Sequence, residues 1–364
     1  MTLLKHLAAA VAAAIVIGLL TIQLSSFRDY QVAEIAAYVV AVAGLTVLIG
    51  LTGQISVGNG AFMAVGAYST ALLQLHGGWM NSLGIKGNWQ IVLILVLSLL
   101  ITAVGGAIFG VAAARLRGPY LAGATLMLAV AIPAAVAFKY ASVFGADQGL
   151  GVSITSPSLL GATFTLTRWY AWLACAAALI TLVALANLTR GRVGRSWRAL
   201  RDDEIAASLA GINVARLQIL GFLISAACAG LGGALLAIVT SVVSPGAYSL
   251  TLSIGLLTAA VIGGLGSLAG AVWGSVLFVL VPSYLNNVAQ SNGGKLFGLS
   301  SGASNFVPIA AYGFVLIAVM LLFPSGIQGA LRRLFGPAMP LAAEPFSLLR
   351  RRAPASDHQE EGTV

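Results

Sequence analysis

The sequence predicts an all-α, polytopic membrane protein of about ten transmembrane helices with both termini in the cytoplasm. Three observations carry that prediction. Of 364 residues, 59% are hydrophobic and only 8% charged. A soluble domain carries roughly 25% charged residues, so this chain has too few to solvate a globular surface. Apolar runs long enough to cross lipid recur along the chain, and the basic residues gather in alternate connections between them.

Windows of about 20 apolar residues fall at 5–24, 32–51, 57–75, 90–114, 119–138, 169–188, 217–243, 250–265, 268–288 and 304–323. Lipid offers backbone polar groups no partners, so each window is read as helix. The first window has the lysine and small residues of a signal peptide, but its apolar run is longer than a signal core. It is read as a spanning helix. The seventh is long enough to tilt or to extend beyond the bilayer. The eighth is short and glycine-rich at its end, the pattern of a re-entrant or broken element.

Orientation follows from the basic residues. With the N-terminus inside, Lys5, Arg115, Arg117, Arg190, Arg192, Arg195, Arg198, Arg201, Arg216, Arg332, Arg333 and Arg350 to Arg352 are cytoplasmic. Only Arg28, Lys86, Lys139, Arg168 and Lys295 remain outside. The net charge of +9 is therefore explained by topology, and no nucleic-acid partner is needed. Residues 1–336 form the transmembrane domain, with a cytoplasmic loop at 189–218. Residues 337–364, rich in Pro, Ala and charge, read as a flexible cytoplasmic tail.

Little in the chain carries covalent chemistry. Cys175 and Cys228 each sit inside an apolar run and read as small hydrophobes. The three histidines fall in unrelated places, so no metal site is expected. No catalytic group is expected either, since the spans hold no paired carboxylates and no nucleophile–base pair. A phosphate loop is also missing. Ionisable residues inside spans usually mark ion paths, and here only Glu34 and Lys139 lie near predicted span ends. That argues against proton or sodium coupling, although neutral carbonyl ligands could still bind sodium, and if transport is uphill it places the energy source on another chain.

The 189–218 loop, TRGRVGRSWRALRDDEIAASLAGINVARLQ, is the longest polar stretch between spans. Asp202 is the expected N-cap of a short helix, with Asp203 and Glu204 in its first turn, where the dipole favours negative charge. Ile205, Ala206, Ala207 and Leu209 give that helix a small apolar face. Gly211 suits a left-handed stop, and Asn213 suits the cap of the next helix. Two readings stand: the helix fits a groove on a partner, or it rests on the membrane surface.

Two further clusters divide in the same way. In Leu51–Gly60, glycines break the helical pattern, and Gln54, Ser56 and Asn59 offer polar groups near the membrane. They line a translocation path, or they satisfy the broken backbone. Gly266, Gly270 and Gly274 recur every four residues and permit close helix packing, within this chain or against a second one. The loop Gly145–Gly151 is a plain connection or a contact for an external protein.

The segment DDEIAASLAGINVARLQILGFLISAACAGLGGALLA resembles the EAA-type coupling loop and following helix of ABC-importer permeases. GLTGQISVGNGAFMAVGAY (50–68), LRGPYLAGATL (116–126), SPGAYSLTLSIGLLTAAVIGGLGSLAGAVWGS (244–275) and the terminal LLFPSGIQGALRR are similar, in order, to motifs of the branched-chain amino acid permease family, M-type subunit. The resemblance covers roughly residues 30–335. It implies the ABC-importer permease fold in a prokaryotic inner or plasma membrane. It implies a second homologous permease subunit, two cytoplasmic ATPase subunits that hold the ATP, and an extracytoplasmic solute-binding protein. The implied solute is a branched-chain or other small amino acid, with urea and short amides as alternatives. The chain departs from the family pattern in three places. Asn59 stands where the family often has His, Met127–Val130 replace an F-G-E-like run, and Gly255 replaces a polar residue. Glu204 also lies one position ahead of the usual acidic site, which falls on Ile205. A rival of another class is a stand-alone carrier or channel that moves solute without ATPases. A membrane-embedded enzyme is disfavoured by the missing catalytic pairs.

Overall fold

Helices α1 (Ser26–Val47, prolonged by a π-helical turn, Leu48–Thr52) and α8 (Val214–Thr240) form the centre of the bundle. A computed structural model describes residues 18, 21, 25–77, 88–116, 119–138, 145, 148–153, 165–291, 313–314, 317–318, 321 and 326–335. Around the central pair stand α2 (Asn59–Leu75), α3 (Asn88–Ala113), α4 (Pro119–Ala137), α5 (Leu166–Arg190), α9 (Leu250–Gly263) and α10 (Leu268–Ser291). Short helices α6 (Arg192–Asp202) and α7 (Glu204–Leu209) link α5 to α8, and α11 spans Gly326–Phe335. An antiparallel ladder, β1 (Leu150–Gly151) with β2 (Val242–Val243), is the one sheet among the described residues.

The composition of each helix explains its place. Helices apolar on every face belong in a core or in lipid. The most hydrophobic stretches of α1 and α8 are 89% and 78% buried, whereas that of α4 is 22% buried and presents Tyr120, Met127 and Val130 outward. Small residues let the backbones close up. An added Cβ on Gly66 of α2 would lie 2.0 Å from the Gly230 carbonyl of α8.

Six described helices are long and apolar enough to cross a membrane: Ser26–Thr52, Trp89–Ala113, Tyr120–Ala137, Leu166–Arg190, Val214–Thr240 and Leu268–Val288. The expected spans at 5–24 and 304–323, and the 337–364 tail, lie largely or wholly outside the described residues. The window at 57–75 forms a 17-residue helix, and that at 250–265 a 14-residue one, as short as its sequence pattern indicated. At 1.5 Å per residue, α2 and α9 reach only about 25 and 21 Å, short of a hydrocarbon core of about 30 Å.

Contacts place these two short helices. α2 begins where the Ser225 hydroxyl, near the midpoint of α8, donates to Asn59 Oδ1 at 3.4 Å. It ends where Gln74 Nε2 donates to the Ser153 carbonyl, beside the β1–β2 ladder. α9 runs the other way. Its first turn meets the start of α2, where Gly60 N donates to Ser253 Oγ at 3.1 Å. Its last residue, Gly263, is followed by a turn packed against Gly50 and Gly326. Two half-helices thus start back to back at mid-height and leave towards opposite ends of the bundle. One end carries Asp29, buried 3.6 Å from Arg168 Nε, and the other carries Arg201.

Candidate functional site

The first part of the site is the elbow between α5 and α8. The sequence reading missed α6 within the polar stretch, although Val193, Trp197 and Leu200 fall at i, i+4 and i+7 between the arginines. Trp197 and Leu200 are buried, and Trp197 Nε1 donates to the Leu217 carbonyl at 3.0 Å, fastening α6 to α8. Arg198 Nη2 donates to the Thr189 carbonyl at 3.2 Å and closes the end of α5.

Asp202 does not cap the next helix, as the sequence reading expected. It is the last residue of α6, and Asp203, in extended backbone, is the N-cap. Asp203 Oδ1 accepts from Ile205 N at 2.8 Å and Ala206 N at 3.0 Å. The reason is that α6 runs through Asp202 itself, the residue expected to cap α7, which moves the break to Asp203. Glu204 then opens α7, half-buried, in the turn where its charge suits the dipole.

The far end of α7 closes as a Schellman motif. Ile212 N donates to the Ala207 carbonyl at 3.1 Å and Gly211 N to the Ser208 carbonyl at 3.0 Å, with Gly211 at φ 82°. Asn213 Oδ1 caps α8 by accepting from Arg216 N at 3.0 Å. Ala207 is buried, whereas Ile205 is 73% and Leu209 84% exposed. A six-residue helix has little stability of its own. Here caps at both ends and one buried alanine hold it so that two aliphatic side chains stand free.

The second part is the broken segment 53–58, between the π-helical turn and α2. Gly53, at φ 73°, ends the helix. The chain then turns inward, and Gln54, Ser56 and Asn59 are all buried, Ser56 and Asn59 to 1% exposure. Side chains from three distant elements meet this segment. Val57 N donates to Thr125 Oγ1 of α4 at 3.1 Å. Gly60 N donates to Ser253 Oγ of α9, and Ser225 of α8 donates to Asn59. Gln54 Oε1 lies 3.5 Å from Thr52 Oγ1, and Ser56 Oγ accepts from Gly58 N at 3.4 Å. Asn59 Nδ2 is buried with no hydrogen-bond partner. The sequence reading found Gln54, Ser56 and Asn59 but not Thr125, Ser225 or Ser253. Single hydroxyls within apolar helices carry no signal of their own.

The third cluster does not form one stripe. Gly266 lies in the turn before α10, at φ 81°, and only Gly270 and Gly274 are on the helix. An added Cβ on Gly270 would meet the Gly263 carbonyl at 2.5 Å, and one on Gly274 the Ala259 carbonyl at 2.0 Å. Both face α9 of the same chain. Cys175 and Cys228 are buried free thiols. Among the described residues no three His, Cys, Asp or Glu side chains gather as a metal site would require.

The family model described as branched-chain amino acid transport system / permease component matches residues 28–324. The high-affinity branched-chain amino acid transport system permease protein LivM of Salmonella typhimurium is 32% identical over 266 residues. That match covers 67% of this chain, and the chain spans only 60% of LivM's length. The permease protein BraD of a high-affinity branched-chain amino acid transport system in Pseudomonas aeruginosa is 26% identical over 306 residues, covering 81% of this chain and 92% of BraD. A nucleoside ABC transporter permease protein, NupC of Lactococcus lactis, is 26% identical over 287 residues, covering 76% of this chain and 85% of NupC. No solved structure matches the chain.

Proposed function

The chain belongs to the branched-chain amino acid transport permease family, and from that premise we propose that it is a membrane-spanning subunit of an ATP-driven importer. Two cytoplasmic ATPase subunits dock on α7 and hold the ATP. A second, related permease chain completes the pore, and an extracytoplasmic solute-binding protein delivers solute. The membrane is the bacterial inner membrane, with the Arg201 end in the cytoplasm.

The observation that carries this reading is α7 itself. Ile205 and Leu209 lie one helical turn apart, 73% and 84% exposed, on a helix closed at both ends. Exposed aliphatic side chains on a polar connection, held rigidly, suit a groove on a partner. Asp202, Asp203, Glu204, Ala206, Ala207 and Gly211 shape and hold that surface. Solute passes beside the mid-bundle junction, where Gln54, Ser56 and Asn59 face the break between the half-helices. The unpartnered amide of Asn59 supports that placement, since a buried polar atom without a partner is costly in an apolar bundle.

The proposed solute is a branched-chain or other small amino acid, supported by the likeness to LivM and BraD of branched-chain amino acid transport systems. A nucleoside is the second reading, supported by the likeness to NupC. The deciding experiment purifies the tagged chain in mild detergent from its own cells and identifies its companions by mass spectrometry. Two ATPases and a second permease are expected. Recovery of this chain alone, still moving solute in liposomes, overturns the importer in favour of a stand-alone carrier. Competition of labelled leucine uptake by isoleucine, valine, urea and adenosine then separates the solute classes.

A further inference from the structure

We propose that Arg201 is a positioning residue: the strut that carries movement of the α6–α7 elbow into the broken segment 53–58. This rests on the coupling role of α7 argued above.

The end of α1 shows why a strut is needed there. The last carbonyls of a helix have no partner within it. In the π-helical turn, the Ile49 carbonyl accepts from Gly53 N at 3.2 Å. The Leu48 carbonyl accepts from Thr52 Oγ1. The Gly50 carbonyl is taken by Arg201 Nη1 at 2.7 Å, from 151 residues along the chain. A cation at a helix C-terminus is also favoured by the helix dipole. The other guanidinium nitrogens, Nε and Nη2, donate to Asp202 Oδ1 at 3.4 and 3.2 Å. One planar fork therefore holds the end of α6 and the end of α1 together, a geometry that a lysine ammonium does not reproduce.

The contact also has nowhere to dissipate. The Arg201 stem lies over Gly53, where an added Cβ would be 3.1 Å from Arg201 Cγ. On its other side Gly50 abuts backbone, and a Cβ there would be 2.2 Å from Gly266 N. A pull on the Gly50 carbonyl thus shifts the turn between α9 and α10 as well as the base of segment 53–58. That segment leads into the Gly60–Ser253 bond between the first turns of α2 and α9. Trp197, fixed to Leu217, gives α6 a pivot. Displacement of α7 becomes rotation of α6 about Trp197, and Arg201, one turn further on, passes it inward.

The test uses the assembled transporter, with its co-purified partners, in nanodiscs. Hydrogen exchange is measured with and without ATP plus vanadate. In the wild type, peptides from 192–212 and from 53–60 both change their exchange rates by at least about threefold. In Arg201→Gln, 192–212 responds as before while 53–60 is unchanged. Arg192→Gln, with the same charge loss on an exposed site of the same helix, behaves as the wild type. A wild-type response of 53–60 in Arg201→Gln overturns the strut and leaves the coupling role of α7 intact. A wild type in which 192–212 responds and 53–60 does not has the same meaning. A wild type in which 192–212 does not respond overturns the coupling reading, and the strut with it. Should Arg201→Gln fail to assemble, Arg201→Lys decides. A reduced response at 53–60 supports the strut, and a full response overturns it.

Discussion

The elbow around α7 and the junction between α2 and α9 meet one requirement by opposite means. Each contains a helix start whose first N–H groups lack partners within the helix. At α7 the partner is Asp203, two residues from Ile205 and three from Ala206. At α2 the partner of Gly60 N is Ser253, 193 residues away, and Val57 N relies on Thr125, 68 residues away. Helix α7 is capped from within the elbow, which reaches the bundle through the Arg201–Gly50 bond, so it can be displaced as a unit. The junction borrows its hydrogen bonds from three other helices, so it cannot move without them. A locally capped lever outside and a shared knot inside suit the proposed transport driven by another chain's cycle.

Substitutions sharpen that contrast when ranked by their effect on the fold. The largest is expected from Gly60→Val, which drives a side chain into the Ser253 hydroxyl, 2.3 Å from an added Cβ. Overpacking together with a lost buried bond costs about 3 kcal/mol or more, read as loss of monodisperse protein in size-exclusion chromatography. Ser253→Ala leaves Gly60 N unpaired without a clash. A cost of about 1–3 kcal/mol is expected, visible as a lower thermal midpoint with ATPase capture unchanged. Equal ATPase loss in both variants would break the contrast.

At the elbow the effects on the fold shrink. Asp203→Ala removes the α7 cap, worth about 1 kcal/mol. It should weaken ATPase capture and leave the thermal midpoint of the bundle in place. Gly211→Ala adds a Cβ in open space, so its cost is that of the left-handed backbone alone, about 1–2 kcal/mol. Gly211→Asn should cost less, and the order Gly, Asn, Ala in uptake checks the motif. The smallest effect on stability belongs to Ile205→Lys with Leu209→Lys, because both side chains stand in solvent. That pair should leave the midpoint unchanged and abolish ATPase recovery. Unchanged recovery would remove α7 from the docking surface.

Local chemistry was legible. The Gly211 stop and the Asn213 cap are settled by residues within a turn of the groups they serve. The Asp203 cap was misplaced by one residue because adjacent aspartates are equivalent until the end of α6 is known. Helix α6 was overlooked although its apolar spacing was present, because five arginines from Arg190 to Arg201 concealed it. The break at 53–58 showed in its glycines, but its depth did not. The same run of residues reads equally well as a loop between spans.

The sequence alone determined that this chain is a polytopic helical membrane protein, that its basic residues gather in alternate connections, and where its short helix stops and the next is capped. Hydrophobic period, charge bias and capping all act over a few residues, so composition along the chain records them. Only the tertiary structure decided that α2 and α9 start back to back. It alone decided that Gly270 and Gly274 face α9, and that Arg201 closes the end of α1. The closure of α1 and the α2–α9 junction depend on pairs of residues 151 and 193 positions apart. A lone serine, glycine or arginine carries no mark of the distant backbone group it will meet.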